Sequence, residues 1–150
     1  MKRKVYRKGI FFVVYKKEEG KIVYLILKRK LHWTGWEFPK AGLEKNENEM
    51  KALKRELKEE VKGCKVLKIK KFNIKGKYLY HKEMKDREEY IGQTYTLFGV
   101  EVECKNVKFD KREHSDYKWL EFNRAYKILR WPNQKKSLRI VDRYVLKCRY

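Results

Sequence analysis

The chain has 150 residues, 42% of them apolar and 15% aromatic, which is enough for one domain with a hydrophobic core and too much for a disordered chain. Its 41 Lys and Arg against 20 Asp and Glu leave a net charge of +21, a field that attracts polyanions. The excess is mostly lysine spread along the whole chain, a pattern that heat adaptation also produces, so charge alone does not name a ligand.

Val5–Lys16 and Lys21–Lys30 are rich in Val, Ile, Phe and Tyr and read as two strands joined through Lys17-Glu18-Glu19-Gly20. Their apolar runs fall short of the ~18–20 residues that cross a bilayer. The basic Met1–Lys4 is followed by no apolar segment and cleavage site of signal-peptide type, so a cytoplasmic protein without a membrane segment is expected. A loop over Leu31–Gly35 leads to a short strand, Trp36-Glu37-Phe38, ended by Pro39. Asn46 with Glu49 three residues on has the pattern of a capping box, predicting a helix to about Lys62, with Gly63 as its stop.

Beyond it, Lys65–Asn73 and Lys77–His81 read as strands around a turn at Lys75-Gly76-Lys77, and Lys82–Glu89 as a charged connection. Gln93–Glu103 and Tyr117–Leu120 read as further strands, Asn123–Arg130 and Gln134–Lys147 as helices. This order predicts an α+β (α/β/α layered) fold, a mixed sheet sandwiched between helices. Cys64, Cys104 and Cys148 form no CxxC pair and are odd in number, so three reduced thiols are expected.

The first helix has three faces. With about 100° per residue, Glu56, Glu59, Glu60 and Glu49 fall on one side, with the small Ala52 among them. Met50, Leu53, Leu57 and Val61 form an apolar stripe, and Lys51, Lys54, Lys58 and Lys62 point away from both. Like charges three or four residues apart repel, and a divalent cation would reverse that cost. Mg²⁺ takes oxygen ligands and usually keeps waters while touching phosphate, so Glu56, Glu59 and Glu60 are candidate ligands. On the helix alone, a solvated surface with an Arg55–Glu59 ion pair is an equal reading.

The surrounding residues decide between them. Glu47, seven intervening residues and then Arg55-Glu56-Leu57-Lys58-Glu59-Glu60 resemble the Nudix signature G-x5-E-x7-R-E-U-x-E-E-x-G-U, in which U is a bulky aliphatic residue. Trp36–Lys40 resembles the lead-in to that box. The chain departs from it at Ala41, in the first glycine position beside Gly42, and at Lys62, where glycine comes one residue late as Gly63. The resemblance implies one Nudix domain over 1–150 and hydrolysis of a nucleoside diphosphate linked to another group. It implies Mg²⁺, with Mn²⁺ as a substitute, held by Glu56, Glu59, Glu60 and the Lys40 carbonyl. It further implies Glu59 or Glu60 as general base, Arg55 orienting a carboxylate and Glu47 bracing the loop against the helix. Glu113, in the late segment Glu113–Leu120, is a further candidate base or ligand. His114 reads as a structural histidine.

The outer motifs, Trp36…Pro39-Lys40 and Ala125–Leu129…Asn133-Gln134, resemble the dinucleoside polyphosphate hydrolase branch. They imply a substrate such as diadenosine tetraphosphate, with Lys40 on phosphate. Gly35 stands where that branch often has histidine, and His32 is the nearest replacement. Tyr80, Tyr78 or Tyr95 could stack a base, and Lys75 and Lys77 could reach a polyphosphate. Three other readings stay open: an RNA 5′-end pyrophosphohydrolase, a nucleoside triphosphate pyrophosphohydrolase, and a non-catalytic basic RNA-binding module.

Overall fold

The structure is a computed structural model and describes residues 5–31, 33–80 and 89–148. Strands β1 (Tyr6–Arg7), β2 (Gly9–Glu18), β3 (Lys21–Arg29), β4 (Gly35–Glu37) and β5 (Lys40–Gly42) precede helix α1 (Glu49–Glu60). Strands β6 (Lys62–Leu79), β7 (Gly92–Lys108) and β8 (His114–Leu120) follow, then helices α2 (Phe122–Ile128) and α3 (Pro132–Lys147). The strands form one mixed sheet in the order β1-β7-β2-β3-β4, with β5 added to β2, β6 to β7 and β8 to β3. The β1–β7 and β2–β7 pairings are parallel, and the others are antiparallel.

Alternation along the strands divides the core between two faces. Ile10, Phe12, Val14, Leu25 and Phe98 meet Ala52, Leu53 and Leu57 of α1. Phe11, Val13, Tyr24, Ile26 and Leu97 meet Ala125 of α2 and Leu138, Val141 and Val145 of α3. The expected layering of helices on both sides of a mixed sheet is present. Truncating the fully buried Leu53 to alanine would cost about 2–5 kcal/mol.

Several local expectations are corrected. The cap of α1 is Asn48, whose side chain accepts the Lys51 amide at 2.8 Å; Asn46 instead occupies a left-handed turn position, φ 64°. Met50 is exposed, and Ala52 packs in the core rather than among the glutamates. No turn interrupts 65–79: β6 continues through it, with its register to β7 shifted between Lys71 and Lys75, and Gly76 pairs with Tyr95 across the sheet. A Cβ on Gly76 would collide with the Tyr95 hydroxyl and ring, so this glycine serves close approach. The hairpin turn between β2 and β3 is made by Glu19 and Gly20, both at positive φ, as a two-residue connection requires. The Lys82–Glu89 connection lies almost wholly outside the described residues.

The expectation of three reduced thiols is also corrected. Cys64 and Cys104 are directly opposed across β6 and β7 and joined in a disulfide, their Cα atoms 4.4 Å apart. That separation suits a non-hydrogen-bonded antiparallel pair. The 40-residue gap between the two cysteines carries no motif by which a sequence reading could pair them. Cys148 remains a free, exposed thiol. Among the described residues no helix is long and apolar enough to cross a membrane.

Candidate active site

Helix α1 turns its acidic face toward β5 and toward the loop that leads into β8. A strongly polar pocket of about 230 Å³ lies there. Glu56 and Glu59 line it from the helix, and Asp110 and Glu113 from the loop. Lys40, Arg29, Arg7 and Arg112 are cations on its wall. Glu60 points inward beneath it, 2% exposed. A carboxylate oxygen of Glu60, one of Glu113 and a ring nitrogen of His114 lie within 4.8 Å of one another.

Arg55 holds this face against the preceding loop. Its Nε and Nη2 donate to the two carboxylate oxygens of Glu47, each at 2.9 Å. Nη2 also donates to the Gly42 carbonyl at 3.1 Å, and Nη1 to Glu56 at 2.7 Å. Glu47 additionally accepts the Glu44 amide at 2.9 Å. The hydrogen bonds from Arg55 hold the Glu47 carboxyl down to about 2. Glu56 is driven the other way, to about 8, first by burial and then by the charges of Glu59, Glu113 and Glu60, with Arg55 opposing. A divalent cation bound beside these carboxylates would relieve that crowding.

A second buried cluster underlies the first, and the sequence reading missed its centre. Glu37 is fully buried. Its Oε2 accepts from Arg29 Nη1 at 3.2 Å and faces His114 Nε2 at 2.9 Å. Its Oε1 has Lys40 Nζ 3.6 Å away. The other ring nitrogen of His114, Nδ1, lies 3.2 Å from Glu60 Oε2. Burial alone would raise Glu37, but Lys40, His114 and Arg29 bring it to about 2. Burial alone would lower His114, but its contacts to Glu37 and Glu60 lift it to about 9. With a carboxylate facing each ring nitrogen, His114 is placed to brace Glu60 against Glu37. A lone carboxylate between two aromatic residues, Trp36-Glu37-Phe38, was the available signal for this cluster.

The candidate residues fall into three groups. Glu56, Glu59, Glu60, Glu113, Arg55, Glu47 and Lys40 are brought together. Tyr80 stands at the margin, its hydroxyl donating to Gln93 Oε1 at 3.3 Å, while Gln93 donates to the Ala41 carbonyl. Tyr95 is corrected as a base-stacking candidate: its ring lies flat on Phe11, centroids 3.8 Å apart, and is buried in the core. Tyr78 packs in the same stack, with Lys40 Nζ 5.1 Å from its ring. Lys75 and Lys77 lie outside this pocket, and His32 lies outside the described residues.

The NUDIX domain model matches residues 5–144. The chain belongs to the Nudix family. It is a pyrophosphohydrolase of that family. An RNA pyrophosphohydrolase of a Nitratiruptor species is 31% identical over 127 residues, covering 81% of this chain and 82% of the relative. Among solved structures, an Ap4A hydrolase of C. elegans in a binary complex superposes with TM-score 0.72 at 23% identity, covering 94% of this chain and 98% of that one. The E. coli dihydroneopterin triphosphate pyrophosphohydrolase superposes at 0.71 and 22% identity, covering 90% and 95%. At these identities the structural likenesses speak for the fold.

Proposed function

We propose that this Nudix enzyme hydrolyses a phosphoanhydride at the 5′-triphosphate end of RNA. The observation that carries the hydrolytic part is a pocket in which carboxylates from a helix and a facing loop converge while cations line the wall. Glu56, Glu59, Glu60 and Glu113, with the Lys40 carbonyl, would hold Mg²⁺, or Mn²⁺ in its place. When bound, the ion would neutralise phosphate charge and lower the pKa of a water. Lys40 would bind a phosphate oxygen, held on station by Glu37. Arg55 would keep Glu56 in place, and Glu47 would brace Arg55. Glu59, whose side chain is 46% exposed, can reach a water and accept its proton; Glu113 on the facing wall is the alternative base.

RNA as the substrate is supported by the net charge of +21 and by similarity to the RNA pyrophosphohydrolase over four-fifths of both chains. A dinucleoside polyphosphate such as diadenosine tetraphosphate is the second reading. The outer motifs favour it, and Lys40 does lie on the wall of the acidic pocket. One assay separates them: Mg²⁺ with 5′-triphosphate RNA, diadenosine tetraphosphate, nucleoside triphosphates and ADP-ribose. Preferred release of pyrophosphate or phosphate from RNA is expected. Faster turnover of diadenosine tetraphosphate would move the assignment to the second reading, and RNA binding without any turnover would overturn both. Glu59→Gln or Glu60→Gln should lower turnover at least about a hundredfold.

A further inference from the structure

A second depression, about 790 Å³, lies beyond the N-terminal end of α1 on the same face of the sheet. This is the size of a nucleotide-accommodating site. Lys8, Lys75 and Lys77 line it, with Thr94 and Thr96 on the sheet between them. Thr94 pairs with Lys77 and Thr96 with Lys75. Ile10 pairs with Thr96 across β2 and β7, so Lys8, two residues earlier, stands beside Thr94. Lys8, Thr94 and Lys77 thus form a row across adjacent strands, its ends about 10 Å apart. Lys75 adds a second cation about 7 Å along β6 on the same face.

The glutamates in this depression are already engaged. Glu47 is bound to Arg55 at 2.9 Å and Glu49 to Lys71 at 3.0 Å. Lys8, Lys75 and Lys77 are exposed and make no ion pair among the described residues, so the depression keeps a local positive excess. It also adjoins the acidic pocket. Arg7 and Gly42 line the pocket, Lys8 and Leu43 line the depression, and the Leu43 amide donates to the Lys8 carbonyl at 2.8 Å. The two share one wall.

We propose that this depression is the track for the RNA strand downstream of its 5′ end, with Lys8, Lys75 and Lys77 holding backbone phosphates. The proposal rests on the RNA reading above. Lysines contact phosphate without reading bases, so the track is indifferent to sequence.

The test compares the wild-type protein with the triple variant Lys8→Ala, Lys75→Ala, Lys77→Ala on 5′-triphosphate RNAs of two, six and twelve nucleotides. A control variant carries Lys17→Ala, Lys21→Ala and Lys127→Ala, remote from the depression. For the twelve-nucleotide RNA, KM of the triple variant should rise at least about tenfold, and the slope of log KM against log salt should shrink by about 2, at ~0.7 per lost phosphate contact. KM for the dinucleotide, kcat for all lengths and the control variant should stay unchanged. Equal losses at every length, equal losses in the control, or an unchanged KM and salt slope would each overturn the track. Failure of the wild-type protein to process any RNA would be a different result: it would remove the RNA reading itself, and the track with it.

Discussion

His114 Nδ1 lies 3.2 Å from Glu60 Oε2, both side chains 2% exposed, so the innermost glutamate of the acidic face is held by a buried imidazole ring. The other side of that ring is held by Glu37. Replacing His114 by leucine would strand two buried carboxylates, at a cost of about 3–5 kcal/mol. His114→Gln keeps an N–H donor group for one of the two carboxylates and should fold better. In that variant the Mg²⁺ concentration for half-maximal activity should rise about 10–100-fold, with direct Mn²⁺ binding weakened in parallel. Wild-type metal affinity in His114→Gln would show that the ring supports the fold alone.

The proposed Mg²⁺ binding should itself be visible. The four carboxylates of the site repel one another, so saturating Mg²⁺ is expected to raise Tm, and chelation to reverse the gain. At 100 times Kd the stabilisation amounts to about 2.7 kcal/mol. Glu56→Gln should abolish most of the Mg²⁺-induced rise in thermal denaturation scans. A full rise in that variant would place the ion elsewhere.

Arg55 and Glu47 form a forked pair at 2.9 Å and 2.9 Å. A double-mutant cycle of Arg55→Ala and Glu47→Ala should return a coupling of about 0.5–3 kcal/mol in denaturant unfolding. Arg55→Lys should recover little of it, because an ammonium cannot donate as a planar fork. Additive single effects would contradict the pairing.

The opposite face of the sheet predicts an alkaline limit. Tyr24 donates to Asp142 at 2.6 Å, and burial, then that carboxylate, raises its pKa well above the ordinary tyrosine value. Tyr15 is raised in the same direction, chiefly by burial. A raised folded value means that stability is intact below the unfolded pKa of about 10 and falls as pH rises beyond it. Absorbance at 295 nm should show these two rings ionising only as the protein unfolds. Tyr24→Phe should be less stable at pH 7 and lose less of its stability between pH 10 and 11 than the wild type.

Much of this arrangement is legible in the chain. The spacing from Glu47 to Arg55 and on to Glu60 places the acidic helix, and the alternating apolar strands place the layers. A turn at Lys75–Lys77 is absent because glycine between lysines, the composition of a turn, here makes room for the Tyr95 ring. Asn46 is not the cap because two asparagines stand two residues apart, and only backbone geometry shows which accepts an amide. Glu37 and the Cys64–Cys104 bond depend on contacts between distant segments, which no local pattern records.

The long strand β6 has one further consequence. It has 18 residues and pairs only with β7 among the described strands, so its outer rim is a template on which another molecule could crystallise strand by strand. Seven of its residues are lysine, and two such rims brought together would repel. That safeguard is electrostatic and therefore weakens with ionic strength, as the screening length contracts from about 10 Å at 0.1 M to about 3 Å at 1 M. Light scattering should find the protein dispersed in dilute buffer and sticky in concentrated salt.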